Sequence, residues 1–280
     1  SSRRRHTRFR NVTGVQTCAL PILSEVLLKS AALTVRFGGL IAVNAADIEV
    51  RKGEIHGVIG PNGAGKTTFF NALSGLVATS SGRIEFGGED ITSLSPHERA
   101  GIGIRRTFQS VQLIPQFTVL ENVLIGLHDQ IKEHPLRSLL SWRGRSRAED
   151  EAQQRVLEVV RMLGIEAALF KLPAELTFVE QRLAEIARAL VSRPRLIMLD
   201  EPAAGLSPTE VTGLNQLLRR LRRDWGLTIL LVEHVLSLVL DVSDRVTVLD
   251  RGSIISRGTP TEVSSDEQVK VAYLGDDGHA

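Results

Sequence analysis

The chain has 280 residues, 42% hydrophobic and 24% charged, enough to bury a core and unlike a disordered or fibrous protein. Its one cysteine, Cys18, rules out an internal disulfide and any two-cysteine metal or redox motif, and its best apolar stretch, 227–240, is broken by Glu233 and His234, short of the ~18 residues a spanning helix needs. The 34 basic side chains nearly balance 32 acidic ones, yet five arginines (Arg3, Arg4, Arg5, Arg8, Arg10) lie in residues 1–22, which hold no acid, so the remainder is net acidic, 29 against 32.

Residues 1–22 mimic a targeting peptide, with a basic start and a mildly apolar continuation. Residues 12–22 resemble one reading frame of a sequencing-library adapter, so 1–22 are expected to be a disordered artefact foreign to the natural gene. From residue 27 the pattern is α/β: short apolar runs, glycine turns and longer amphipathic stretches. Residues 33–37 and 42–50 read as antiparallel strands, and 54–59 as a buried strand entering a glycine-rich loop. A helix follows over 66–76 and a short strand over 84–86. Ser95-Pro96-His97-Glu98 looks like a capped helix start. Between 110 and 173 the chain reads as helices, including 119–127 and 147–163, with Gly164 at a C-cap position. The basic stretch 131–147 around Trp142 is read as a solvated loop and helix face. The last third returns to α/β, with strands at 196–199 and 227–232, a helix at 208–223, and a hairpin over 246–255 turning at Asp250-Arg251-Gly252.

Gly60-Pro61-Asn62-Gly63-Ala64-Gly65-Lys66-Thr67-Thr68 fits G-x-x-x-x-G-K-[ST] between a strand and a helix. Glycines let the backbone fold so that N–H groups and a helix N-terminus face phosphates. Lys66 would reach the β- and γ-phosphates and the Thr67 hydroxyl would ligate Mg²⁺. The apolar strand 196–199 ends in Asp200-Glu201-Pro202, placing Asp200 to hold the Mg²⁺ shell and Glu201 to polarise an attacking water.

With three further patches the chain resembles an ATP-binding-cassette (ABC) ATPase: Arg106-Thr107-Phe108-Gln109 looks like the Q-loop, Leu231-Val232-Glu233-His234 like the switch histidine, and 176–182, followed by a helix over 183–190, like the signature. The resemblance covers nearly all of residues 25–275. It implies an α/β fold: a P-loop, RecA-like core with a mixed sheet, an antiparallel β subdomain and an inserted helical subdomain. The expected division is 23–109 for the first part of the core with the β subdomain, 110–190 for the helical subdomain, and 191–280 for the rest of the core. It further implies ATP and Mg²⁺ as ligands. Gln109 would touch Mg²⁺ and sense a membrane partner, His234 would contact the γ-phosphate, and Phe37 would stack on adenine, with core packing as the alternative for Phe37. The histidines at 6, 56, 97, 128, 134 and 279 are assigned no chemistry.

Within the family, Phe37-Gly38-Gly39-Leu40, the insert up to Glu151, Glu201-Pro202-Ala203-Ala204-Gly205-Leu206 and Ala272-Tyr273-Leu274-Gly275 resemble the larger ATPase of high-affinity branched-chain amino acid importers. Urea and short-amide importers share much of this pattern. Implied partners are a second ABC ATPase, head to tail, two membrane-spanning permease subunits and, indirectly, a solute-binding protein. The implied place is the cytoplasmic face of the plasma membrane.

Three positions depart from the family pattern. Val179 replaces the signature glycine, Thr177 a serine and Ser207 a common aspartate. Thr177, Phe178, Val179 and Glu180 would face ATP on the opposite subunit. There a valine is expected to intrude on the phosphate and to resist the backbone angles of glycine. One lost charge-assisted hydrogen bond costs about 1.5–3 kcal/mol, or about 10–100-fold in hydrolysis. Either the site is degenerate, leaving a non-hydrolysing nucleotide switch, or a glycine codon was misread. A DNA-acting cassette ATPase is disfavoured, since 110–173 is too short for a long coiled coil and the net charge offers no basic footprint; no nucleic-acid partner is expected.

Overall fold

The computed structural model describes residues 25–129 and 147–274. The segment 1–22 and the basic stretch 131–146 lie outside the described residues. The strands are β1 (Val26–Phe37), β2 (Leu40–Arg51), β3 (Ile55–Ile59), β4 (Ser81–Phe86), β5 (Glu89–Asp90), β6 (Ile104–Arg106), β7 (Leu196–Asp200), β8 (Thr228–Val232), β9 (Arg245–Asp250) and β10 (Ser253–Gly258). The helices are α1 (Lys66–Ser74), α2 (Pro96–Gly101), α3 (Val119–Ile125), α4 (Arg147–Leu163), α5 (Phe178–Leu190), α6 (Pro208–Trp225), α7 (Leu236–Val242), α8 (Pro260–Ser265) and α9 (Glu267–Leu274).

Two sheets form. One is antiparallel, in the order β2-β1-β4-β5; the other is mixed, in the order β10-β9-β3-β8-β7-β6, with only β9–β10 antiparallel. Every residue of β3, β7 and β8 is buried, as expected of parallel strands covered on both faces. Alternation assigns their side chains to two cores. Leu196, Met198, Leu230 and Val232 face the antiparallel sheet and α1, where they meet Phe69, Phe70, Leu28 and Ile48. Ile197, Leu199, Ile229 and Leu231 face the opposite way, toward apolar residues of α3, α4, α5 and α6.

The structure shows the expected α/β P-loop class, and its elements differ from the sequence reading in explicable ways. β1 begins at Val26, not 33, because bulges at Ala32 (φ +50°) and Ala45 (φ +46°) shift the register and hide the alternation. α1 stops at Ser74, two residues early, where Gly75 turns left-handed (φ +81°). α5 starts at Phe178 and not at 183: Thr177 accepts a hydrogen bond from the Glu180 amide while the Glu180 carboxylate accepts one from the Thr177 amide, closing a capping box. The same device opens α2 at Ser95, α3 at Thr118, α6 at Ser207 and α8 at Thr259.

Candidate functional site

β3 delivers the loop 60–65 directly into α1. A Cβ at Gly60 would collide with the Leu249 carbonyl, and one at Gly65, whose φ is +95°, with the Ala42 carbonyl. These glycines let the loop nest against β9 and β2. The turn at Arg251-Gly252, with φ +45° and +79°, closes the nest: the Gly252 amide donates to Ala64 O (2.9 Å) and the Asn44 amide to Gly252 O (2.7 Å). Among the described residues, five helices carry a capping glutamate in their first turn, but α1 has no acid there and no side-chain cap. Its N-terminal N–H groups and positive dipole end therefore suit an anion. Lys66 is buried, its ammonium folded back on Gly60 O (2.6 Å) and Pro61 O (2.9 Å). Thr67 is exposed at the mouth and Thr68 half-buried.

Asp200 ends β7, buried, with Oδ2 receiving a hydrogen bond from Arg106 Nη2 at 2.6 Å. Burial pushes its carboxyl above the usual aspartate value, and the Arg106 cation opposes this. Glu201 follows in a left-handed conformation, φ +46°, which costs a residue with a Cβ about 1–2 kcal/mol. Its amide donates to Val232 O (2.9 Å) and its carbonyl accepts from Ala204 (3.1 Å), fixing the bend. The carboxylate is thereby turned to meet Gln109, whose amide nitrogen donates to Oε2 at 2.7 Å, and His234, whose Nδ1 lies 3.8 Å from the same oxygen.

Gln109, Asp200, Glu201 and His234 thus converge at the C-terminal ends of parallel strands, beside the loop that β3 also delivers there, the usual ligand position in open α/β sheets. Phe37 is 52% exposed at the tip of the β1–β2 hairpin, so the core-packing alternative fails. Thr177 caps α5 and Phe178, Val179 and Glu180 form its first turn, with Phe178 47% exposed beside Gly205. The backbone conflict expected of Val179 is absent: the residue is helical, with no positive φ, and lines a cavity of about 310 Å³ with Leu183, Leu206 and Leu214. Valine is comfortable in helical backbone, so glycine's freedom is not needed there.

Several residues in this region received no separate role from the sequence. Glu233 is completely buried and accepts from the Ala203 amide (2.7 Å), tying the 201–206 loop to the end of β8; burial raises its pKa. Arg182 donates to Phe108 O (3.1 Å) and Gln109 O (3.0 Å), so α5 holds the glutamine loop by its backbone. The available signal was an Arg182/Glu185 pair set in an otherwise apolar helix face. His56, assigned no chemistry, is a buried structural residue between Glu54 (3.1 Å) and Thr247 (2.9 Å).

A family profile described as "ABC transporter" matches residues 43–204, and one described as "Branched-chain amino acid ATP-binding cassette transporter" matches 253–279. The high-affinity branched-chain amino acid transport ATP-binding protein LivG of Salmonella typhimurium is 41% identical over 254 residues, 91% of this chain and 100% of its own length. BraF of Pseudomonas aeruginosa, described in the same words, is 38% identical over the same shares. Among solved structures, the ADP conformation of MJ1267, an ATP-binding cassette of an ABC transporter, superposes with a TM-score of 0.79 at 33% identity, covering 90% of this chain and 100% of that one. The dimeric bacterial ABC transporter cassette MJ0796 superposes at 0.68 and 26% identity, covering 84% and 99%. With the phosphate loop, the paired carboxylates and the loops that meet them gathered at one end of the parallel strands, the chain belongs to the ABC transporter family, as one of its ATP-binding cassette ATPases.

Proposed function

We propose that this ATPase hydrolyses Mg·ATP to drive uptake of branched-chain or closely related amino acids through membrane-spanning partners, at the cytoplasmic face of the membrane. The observation that carries the chemistry is the convergence of Gln109 and His234 on one oxygen of Glu201, next to Asp200 and the Lys66 loop. Relatives named for branched-chain amino acid transport support the solute class. Among the described residues no helix is long and apolar enough to cross a membrane, so translocation falls to other subunits.

The loop amides and the α1 N-terminus would hold the phosphates, Lys66 leaving its two carbonyl partners for the β- and γ-oxygens, and Phe37 would flank the base. The Asp200 carboxylate and the Thr67 hydroxyl are hard oxygen donors that fit magnesium, with Gln109 beside them. A magnesium ion held by these residues would supply neutralisation of the phosphate charge. Glu201 orients the attacking water and takes its proton, and His234 steadies the γ-phosphate. The core of 23–109 and 191–280, with 110–190 as the helical subdomain, would close head to tail on a second cassette; that one similar cassette is described as dimeric supports the pairing.

A second reading has its own support. The Glu180 carboxylate already occupies the N-terminus of α5, accepting from the Thr177 amide at 2.7 Å. If that end faces the other subunit's phosphate, the chain brings to it a valine and a like charge, and the composite site completed by this chain is the weaker one.

Steady-state hydrolysis by the full chain, beside Glu201→Gln and Val179→Gly, tests both. Glu201→Gln is expected to bind ATP but lose about 10²–10⁴-fold in turnover; undiminished turnover would overturn the catalytic assignment. A gain of about tenfold or more in Val179→Gly supports the weak-site reading, and equal rates exclude it.

A further inference from the structure

Arg106 makes more of the site than its place in the sequence predicts. Its Nη2 donates to Asp200 Oδ2 at 2.6 Å, while Nη1 donates to Asn71 Oδ1 at 2.6 Å and to Ser74 Oγ at 2.8 Å. The guanidinium carbon lies 4.8 Å from the centroid of Phe70 and 5.3 Å from that of Phe108. Both charged side chains are nearly dry, 10% and 6% exposed for Arg106 and Asp200.

A buried ion pair of this kind is a costly way to hold a fold together, since the desolvation of two charges offsets most of their attraction. What a forked, flat cation provides is direction: it bonds one carboxylate oxygen along a fixed line and resists rotation of the group. Here the fork is itself held at its other end by α1, the helix that begins with Lys66, and packed against two aromatic rings. Arg106 therefore spans three pieces of the site: the helix of the phosphate loop, the strand end bearing Asp200, and the segment 106–109 that carries Gln109 to Glu201.

We propose that Arg106 is a positioning residue for the magnesium-binding carboxylate, fixing Asp200 through Oδ2 so that Oδ1 is presented to the ion, and linking that presentation to the placement of the 106–109 segment. The inference rests on the nucleotide-site reading and deepens it. Removing such a partner of a metal ligand typically costs about 10–100-fold in metal affinity. Arg106 would touch neither nucleotide nor ion, so its loss should appear in the magnesium requirement rather than in magnesium-free nucleotide binding.

The experiment titrates the full chain, Arg106→Met and Arg106→Lys with a fluorescent ATP analogue, in EDTA and across a series of magnesium concentrations. In Arg106→Met the magnesium concentration for half-maximal tightening is expected to rise about tenfold or more, while affinity in EDTA stays within about twofold. Arg106→Lys should recover part of the shift, because an ammonium reaches Asp200 but cannot also fork to Asn71 and Ser74. An unchanged magnesium requirement, or equal losses with and without magnesium, overturns the proposal. Should Arg106→Met fail to fold by thermal melting, the double variant Asn71→Ala/Ser74→Ala decides: it removes both acceptors of Nη1 and keeps the charge pair, so a smaller shift in the same direction supports the proposal and no shift overturns it. A wild-type chain that binds no nucleotide under any condition overturns the nucleotide-site reading and this inference with it; normal binding with no effect of the variants overturns this inference alone.

Discussion

Glu233 shows how a single side chain near the chemistry is committed to structure. It is fully buried, accepts backbone hydrogen bonds from Ala203 and His234, and has its pKa raised above 4.5 chiefly by burial, the backbone donors opposing. A carboxyl with a raised folded-state pKa binds its proton more tightly folded than unfolded. Protonation therefore favours the fold, and that advantage is lost as pH rises from the unfolded value through the raised one. Glu233→Gln removes the titration, so its melting temperature should fall less steeply than wild type as pH rises above about 4.5. Parallel slopes would show that Glu233 does not titrate in this window. The sequence made Lys66, Asp200 and Glu201 legible because local features announce them: a glycine loop before a helix, and two acids ending an apolar strand. The partners of Arg106 and Glu233 were not legible, since they are brought in from Asn71 and Ala203, 35 and 30 residues away.

The same contrast holds for whole elements. β7 and β8 stood out as apolar runs because both faces are covered, and β3 as a buried strand entering the glycine loop, whereas the first half of β1 was hidden by its bulges. The start of α5 was hidden too, because its capping box begins inside a motif read for chemistry rather than structure. The join between the phosphate loop and the β1–β2 hairpin runs through Gly65, where two demands coincide: a positive φ and contact with the Ala42 carbonyl. Backbone strain alone costs alanine about 1–2 kcal/mol there, and relieving the clash must move the loop. Gly65→Ala should weaken ATP binding by about tenfold or more. Gly164, also left-handed at φ +71° but with open space around it, is the control: Gly164→Ala should lose stability yet keep its nucleotide affinity. Equal affinities in both variants would remove Gly65 from the site.

At the scale of the molecule, the two sheets are one cooperative body, because the central strands serve both cores. Neither apolar cluster can be emptied without exposing one side of β7 and β8. Thermal unfolding of the chain should follow a single transition, and a ligand present at 100 times its dissociation constant should add about 2.7 kcal/mol to stability. Two separate transitions, or an ATP shift confined to one of them, would contradict this account. Counting residues along β7 shows a further constraint. Leu196, Ile197, Met198 and Leu199 alternate between the cores, and the next step places Asp200 at the cleft. Inserting or deleting one residue within that strand would exchange the occupants of both cores and turn the carboxylate to the opposite face. The strand is a ruler with a parity: over evolutionary time its side chains can be swapped for others of like size, but its length before Asp200 is not free to drift.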